Sequence, residues 1–175
     1  MTNPTRLNLS LALGLILCLS FGPGALSQNE MTGEGNEATE PSMTTRASGT
    51  FDVKMNPRTP TEGEITSIGR MVLDKQFSGD LEATSQGQML AFRTPVDGSA
   101  GYVAMEQVSG TLHGRRGTFV LQHSGSMNRG EASLTLIVVP DSGTDELEGL
   151  SGSMAIVIDE GKHLYDFDYT LPGLL

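Results

Sequence analysis

The stretch Gly101 to Met127, GYVAMEQVSGTLHGRRGTFVLQHSGSM, constrains the fold more than any other part of the chain. Two runs with apolar residues at every second position flank His113-Gly114-Arg115-Arg116-Gly117. A glycine-rich turn between two strand-length runs predicts an antiparallel hairpin. The same pattern recurs along most of the chain. It predicts one antiparallel sheet, closed into a barrel.

Strand signals follow one another with turns between them. Ser48 to Met55 places Phe51, Val53 and Met55 on one face and Thr50, Asp52 and Lys54 on the other. Asn56 to Gly63 holds two prolines and reads as a loop. Further strands are expected over Ile65 to Phe77, Leu81 to Arg93, Gly101 to Leu112 and Thr118 to Met127. Three more cover Ala132 to Val139, Leu147 to Ile158 and His163 to Leu171. That makes about eight strands, a number in keeping with the turn spacing of β-barrels. No window carries a helical period. The motif Ser-Gly-[Ser/Thr]-apolar occurs at Ser48, Ser109, Ser124 and Ser151. Its irregular spacing argues against a solenoid repeat and for glycine placed where strands must bend to close a sheet on itself.

The first 27 residues read as a signal peptide. Arg6 supplies the positive start, Leu7 to Phe21 the apolar run, and Ala25-Leu26-Ser27 the small residues at a cleavage site. The run is shorter than the ~20 residues of a spanning helix, which favours cleavage over an anchor. Cys18 is preceded by Leu17 and sits in the middle of the run, a poor fit to a lipidated cysteine. The expectation is an exported protein, periplasmic or secreted, beginning near Gln28. Residues 28–47 are polar and acidic and cannot repay their ordering entropy, so they read as a disordered linker. The barrel domain is expected over 48–175.

Composition excludes several kinds of function. Cys18 is the only cysteine, so the mature chain would have no thiol nucleophile, cysteine-bound metal or disulfide. The leader holds one of the 11 Lys+Arg residues and none of the 21 Asp+Glu, so its removal deepens a formal net charge of −10. An acidic chain whose only adjacent basic pair is Arg115-Arg116 in a turn is poorly suited to nucleic acid or anionic membrane. No later segment is apolar enough for a spanning helix. No phosphate loop, dinucleotide fingerprint or nucleophile elbow is present, and no cofactor is expected.

Polar residues inside apolar strands are the remaining candidates. Glu106 is surrounded by apolar neighbours in GYVAMEQV, a run that opens with Tyr102. If it faces inward, desolvation would raise its pKa and it would be protonated or hydrogen-bonded. Glu106→Gln would then keep the fold at no cost at neutral pH. Across the turn lie Gln122 and His123, one on each face, so one of them shares the face of Glu106. Glu82 is a weaker candidate of the same kind, with Arg70 on the preceding strand as a partner. The outward alternative for this group is a set of cross-strand surface pairs. Asp166 and Asp168 share one face of the last strand, about 6.5–7 Å apart from the strand rise. Apolar-in, polar-out alternation accounts for both. The three histidines, His113, His123 and His163, show no metal-binding spacing, and no metal site is assigned.

The chain also resembles a bacterial family of uncharacterised domains. The likeness is carried by MEQV at Met105 to Val108, GTLHGR at Gly110 to Arg115 and GTFVLQHSG at Gly117 to Gly125. It continues in VPDSGT at Val139 to Thr144, LEGLSG at Leu147 to Gly152, SGTFDV at Ser48 to Val53 and YDFDY at Tyr165 to Tyr169. That family is similar in fold to allene oxide cyclases, eight-stranded antiparallel barrels of calycin-like shape. Those enzymes hold a reactive, mostly apolar molecule in the lumen while it cyclises, without a cofactor. The resemblance implies the fold and transfers no catalytic residue.

Three readings of function follow. The first is an exported barrel that binds a small, mostly apolar ligand in its lumen, with Glu106, Gln122, His123, Tyr102, Glu82 and Arg70 as candidate site residues. The second is a cofactor-independent isomerase or cyclase working in the same lumen. The third is a structural or assembly barrel filled with side chains. A homo-oligomer is compatible with each.

Overall fold

The computed structural model describes residues 43–173. The expected signal peptide and most of the expected linker lie outside the described residues. Eight strands alternate in the order of the chain: β1 (Thr45–Arg58), β2 (Gly69–Gly79), β3 (Leu81–Arg93), β4 (Ala100–Leu112), β5 (Arg115–Asn128), β6 (Glu131–Val138), β7 (Ser151–Asp159) and β8 (Lys162–Thr170). Each pairs antiparallel with its neighbour, and β8 returns to β1, so the sheet closes as an up-and-down barrel. Apolar residues with period two point inward, because only that face is removed from water.

Three connections are two-residue turns. His113-Gly114, Arg129-Gly130 and Glu160-Gly161 all have positive φ at both positions. That geometry suits a I′-type turn, whose twist matches the flanking strands. The turn expected to run from His113 to Gly117 is therefore shorter, and Arg115 to Gly117 belong to β5. β1 also departs from expectation at both ends. It begins at Thr45, where Thr45 pairs with Tyr169, and it runs through Pro57 to Arg58 where a loop was expected. Beyond Phe51 it has outrun β8, so Pro57 sits on a stretch with a strand on one side only, where a missing N–H is tolerated. In place of a strand beginning at Leu147, the chain forms a 3-10 turn over Asp145–Leu147.

The four Ser-Gly motifs mark close approaches. A Cβ on Gly110 would lie 2.2 Å from the Glu82 carbonyl oxygen, and one on Gly125 would lie 2.2 Å from Tyr102 Cε1. The equivalent positions at Gly49 and Gly152 are blocked by backbone oxygens of Ser78 and Asp168. Glycine is what lets neighbouring strands coil this tightly.

The barrel has two unlike ends. At the end where β1 begins and β8 finishes, Leu81, Leu112, Phe119, Leu147, Leu150, Phe167 and Tyr169 are fully buried and fill the interior. The β6–β7 connection folds back over this end and along β5. Its Ser142 Oγ and Thr144 Oγ1 accept hydrogen bonds from the Val120 and Thr118 N–H groups, at 3.0 Å each. These side chains serve a stretch of β5 that β6 is too short to cover. β6 and β7 themselves are in register at one pair, Ile137 opposite Ser153, whereas β4 and β5 pair from Ala100↔Met127 to Leu112↔Arg115. The wall therefore has a seam. The other end, ringed by the β3–β4, β5–β6 and β7–β8 connections, is open.

Candidate functional site

Four strands each place one polar side chain where the alternation calls for an apolar one. On β2 the inward series is Met71, Leu73, Lys75, Phe77; on β3 it is Met89, Gly87, Ser85, Ala83. On β4 it is Tyr102, Ala104, Glu106, Val108, and on β5 it is Gly125, His123, Leu121, Phe119. Register brings Lys75 opposite Ser85 and Gly87 opposite Glu106, while His123 lies diagonal to Glu106 across β4 and β5. Lys75, Ser85, Glu106 and His123 meet at mid-height in the barrel.

Glu106 is the centre of the group and is 0% exposed. Lys75 Nζ donates to Glu106 Oε2 at 2.7 Å, and Ser85 Oγ donates to Glu106 Oε1. The Lys75 ammonium also sits 4.8 Å from the centre of the Phe51 ring and 5.6 Å from that of Phe77, a cation–π arrangement in an apolar setting. His123 Nε2 lies 2.9 Å from Glu106 Oε2. That distance is within ion-pair range, but the geometry is not that of a formed hydrogen bond, and Nε2 is left as a buried nitrogen without one. We treat the contact as electrostatic.

Burial alone would raise the Glu106 carboxyl, as anticipated from sequence. His123, Lys75 and Ser85 together outweigh it and hold the carboxyl down to about 2. The expected direction is thus reversed, because the sequence reading gave Glu106 no cationic neighbour. Burial raises the Tyr102 phenol, and the Glu106 charge raises it further. Burial lowers His163, the nearby Lys75 charge adds to that, and Asp52 opposes both.

Above this group lies a cavity of about 680 Å³ that opens at the mouth of the barrel. Its walls are mainly apolar, with Met55, Met71, Met89, Met127, Leu134 and Met154 prominent, and Arg46, Arg93, Asp166 and Asp168 also border it. Lys75, His123 and Tyr102 border it; Glu106 is screened behind them. Leu134, Leu136, Met154 and Ile156 also line it, so the cavity extends along the β6–β7 seam. His163 borders it too and stacks on Phe51 at 4.9 Å.

The remaining sequence candidates lie elsewhere. Gln122 points outward opposite Met105, which leaves His123 as the residue beside Glu106. Glu82 is exposed on the outer face of β3. Arg70 is not its partner: it pairs with Leu90 across the sheet, near the other end of β3, and its guanidinium contacts Glu64. Asp168 is bonded through both oxygens to Arg46 and Asp166 is exposed; they share no contact with Glu106 but border the cavity where it reaches the outer surface. His113 bonds Tyr169 Oη through Nδ1 at 2.8 Å, at the filled end. Lys75 and Ser85 were missed from sequence. Their signal was parity: each stands in the apolar register of its strand. Among the described residues no three His, Cys, Asp or Glu side chains are grouped to hold a metal ion. Among them, too, no helix is long and apolar enough to cross a membrane.

Fold and site together define a closed eight-stranded antiparallel barrel with an apolar, polar-floored lumen. The chain belongs to the DUF3224 family of proteins of unknown function, whose model matches residues 47–169. It is similar to a crystal structure of a DUF3224-family protein of unknown function from Shewanella oneidensis MR-1. The two are 52% identical, with a TM-score of 0.69, over 74% of this chain and 98% of that one. No curated protein matches.

Proposed function

We propose that this protein is an exported binder of a small, mostly apolar molecule held in the barrel lumen. The observation that carries the reading is the 680 Å³ cavity, whose lining is mainly apolar and includes Lys75, His123 and Tyr102 among its polar groups. Its size falls in the range of small-molecule sites, roughly 300–1,000 Å³, and such sites combine apolar walls with a few oriented polar groups. The methionines suit this role, since a flexible thioether side chain fills gaps around differently shaped occupants. The resemblance to allene oxide cyclases, barrels that hold an apolar molecule in the lumen, supports the same reading. An unfilled lumen is what separates it from a structural barrel.

The catalytic reading is second. It is favoured by one feature, the buried His123 Nε2 without a hydrogen bond beside the cavity. Glu106 is not the base in that reading, because it is screened from the lumen and held ionised by its neighbours.

The test is equilibrium binding of an uncharged naphthylamine dye that fluoresces in apolar surroundings. Saturable one-to-one binding is expected, lost when Met71 and Met89 are both replaced by Glu to charge the wall. Absence of saturable binding, or binding unaffected by that change, would overturn the reading.

A further inference from the structure

We propose that the lumen selects an uncharged occupant ending in a carbonyl oxygen, seated against His123, Lys75 and Tyr102. The proposal rests on the lumen-binding reading and adds the chemistry of the polar end.

Three side chains that border the cavity carry donors: Lys75, His123 and Tyr102. Lys75 carries three N–H bonds and commits one to Glu106. His123 Nε2 is buried, with its side chain 5% exposed, and has no hydrogen bond of its own. Tyr102 makes no side-chain hydrogen bond among the described residues, and its phenol is kept protonated by burial and by the Glu106 charge. Tyr102 is also held in place, since its ring packs on Gly125 where no Cβ intervenes. Glu106 is engaged by Lys75 and Ser85, and its Oε2 lies 2.9 Å from His123 Nε2 without forming a hydrogen bond to it. A buried polar nitrogen without a partner is costly, and an occupant supplying an acceptor oxygen would remove that cost.

Charge decides which acceptor. Lys75 and Glu106 neutralise each other within 2.7 Å, so the pair adds no net charge to the floor. A carboxylate placed there would be a second anion beside buried Glu106, with one lysine between the two. Like charges in a site shielded from water repel strongly. His163 adds no fixed positive charge, since burial and Lys75 both disfavour its protonation. Outward Asp52 adds negative field. A ketone, ester or lactone oxygen meets the donors without adding charge. The apolar remainder of such a molecule lies against the methionine-lined walls.

Three dyes sharing one dimethylamino-naphthalene body test this on the unmodified protein: one with a propionyl ketone, one with a carboxylate in its place, and one with neither. The ketone is expected to bind about tenfold more tightly than the dye lacking it, the worth of one good hydrogen bond. The carboxylate is expected to bind more weakly than the ketone. The infrared carbonyl stretch of the bound ketone should fall relative to its value in alkane. His123→Leu should reduce the ketone advantage, read as the ratio of the affinities of the ketone and the carbonyl-free dye for the same variant. Equal binding of the ketone and the carbonyl-free dye would sink the inference and leave the lumen reading intact. Tightest binding by the carboxylate would also sink it. If none of the three binds, both fall.

Discussion

Lys75 Nζ and Glu106 Oε2 are 2.7 Å apart in the interior of the barrel, with side chains 6% and 0% exposed. The pair changes what an inward carboxylate means for stability. Without an ion partner, Glu106→Gln was expected to be harmless. With Lys75 present, that change leaves an ammonium among Phe51 and Phe77 with no counter-charge. Breaking a buried pair from one side costs roughly 3–5 kcal/mol, while replacing both partners by neutral groups is often close to neutral. Urea denaturation should therefore show Glu106→Gln strongly destabilised and Lys75→Met/Glu106→Gln recovering most of the loss. A single variant as stable as wild type would contradict the pairing.

The same carboxyl sets an acid limit. Its folded pKa of about 2 lies below its ordinary 4.5. A depressed carboxyl stabilises the fold above the unfolded value and loses that contribution as pH falls through the folded value. The window is thus about pH 4.5 down to about 2, and the increment is on the order of 3 kcal/mol. Wild-type stability measured by urea at pH 6 and pH 2.5 should differ by more than that of Lys75→Met/Glu106→Gln. Parallel profiles for the two proteins would show that Glu106 is not the titrating group.

Tyr102 and Gly125 face each other across β4 and β5. The nearest atoms a methyl on Gly125 would meet all belong to the Tyr102 ring, at 2.2, 2.8 and 2.9 Å. Gly125→Ala is expected to cost about 1–3 kcal/mol, as overpacking does. In a Tyr102→Ala background the same change should cost little, giving a large coupling in a double-mutant cycle. Additive losses would place the constraint in the backbone rather than in the ring.

Export predicts a defined amino terminus. Protein recovered from an envelope or secreted fraction of a Gram-negative host should begin near Gln28, by intact mass and terminal sequencing. A retained leader, or a lipid on Cys18, is the outcome that refutes cleavage after Ser27.

Much of the barrel was legible because period-two alternation and X-Gly turns are local signals. Leu81 to Arg93 was read to the residue, and the four Ser-Gly motifs fell at tight strand approaches. What escaped was set by distant partners. Pro57 is tolerated in a strand because β8, which begins only at Lys162, does not reach it, a fact about another part of the chain. Leu147 turns away from β7 to plug the filled end. Within the site, Glu106 and His123 drew notice as polar residues in apolar runs. Lys75 stands in MVLDKQF between Asp74 and Gln76, where only its parity sets it apart from its polar neighbours. Only the register of β2 against β3 and β4 shows which carboxylate it meets.

The single rung at Ile137 and Ser153 gives the cylinder an elastic circumference. Seven long ladders fix the distances between the other strands, so any change of girth is concentrated at this one line. A ring with one compliant joint behaves as a split collar: it widens without tearing and springs back to a set diameter. The chain thereby combines seven firmly laddered joins with one line along which its girth is least constrained.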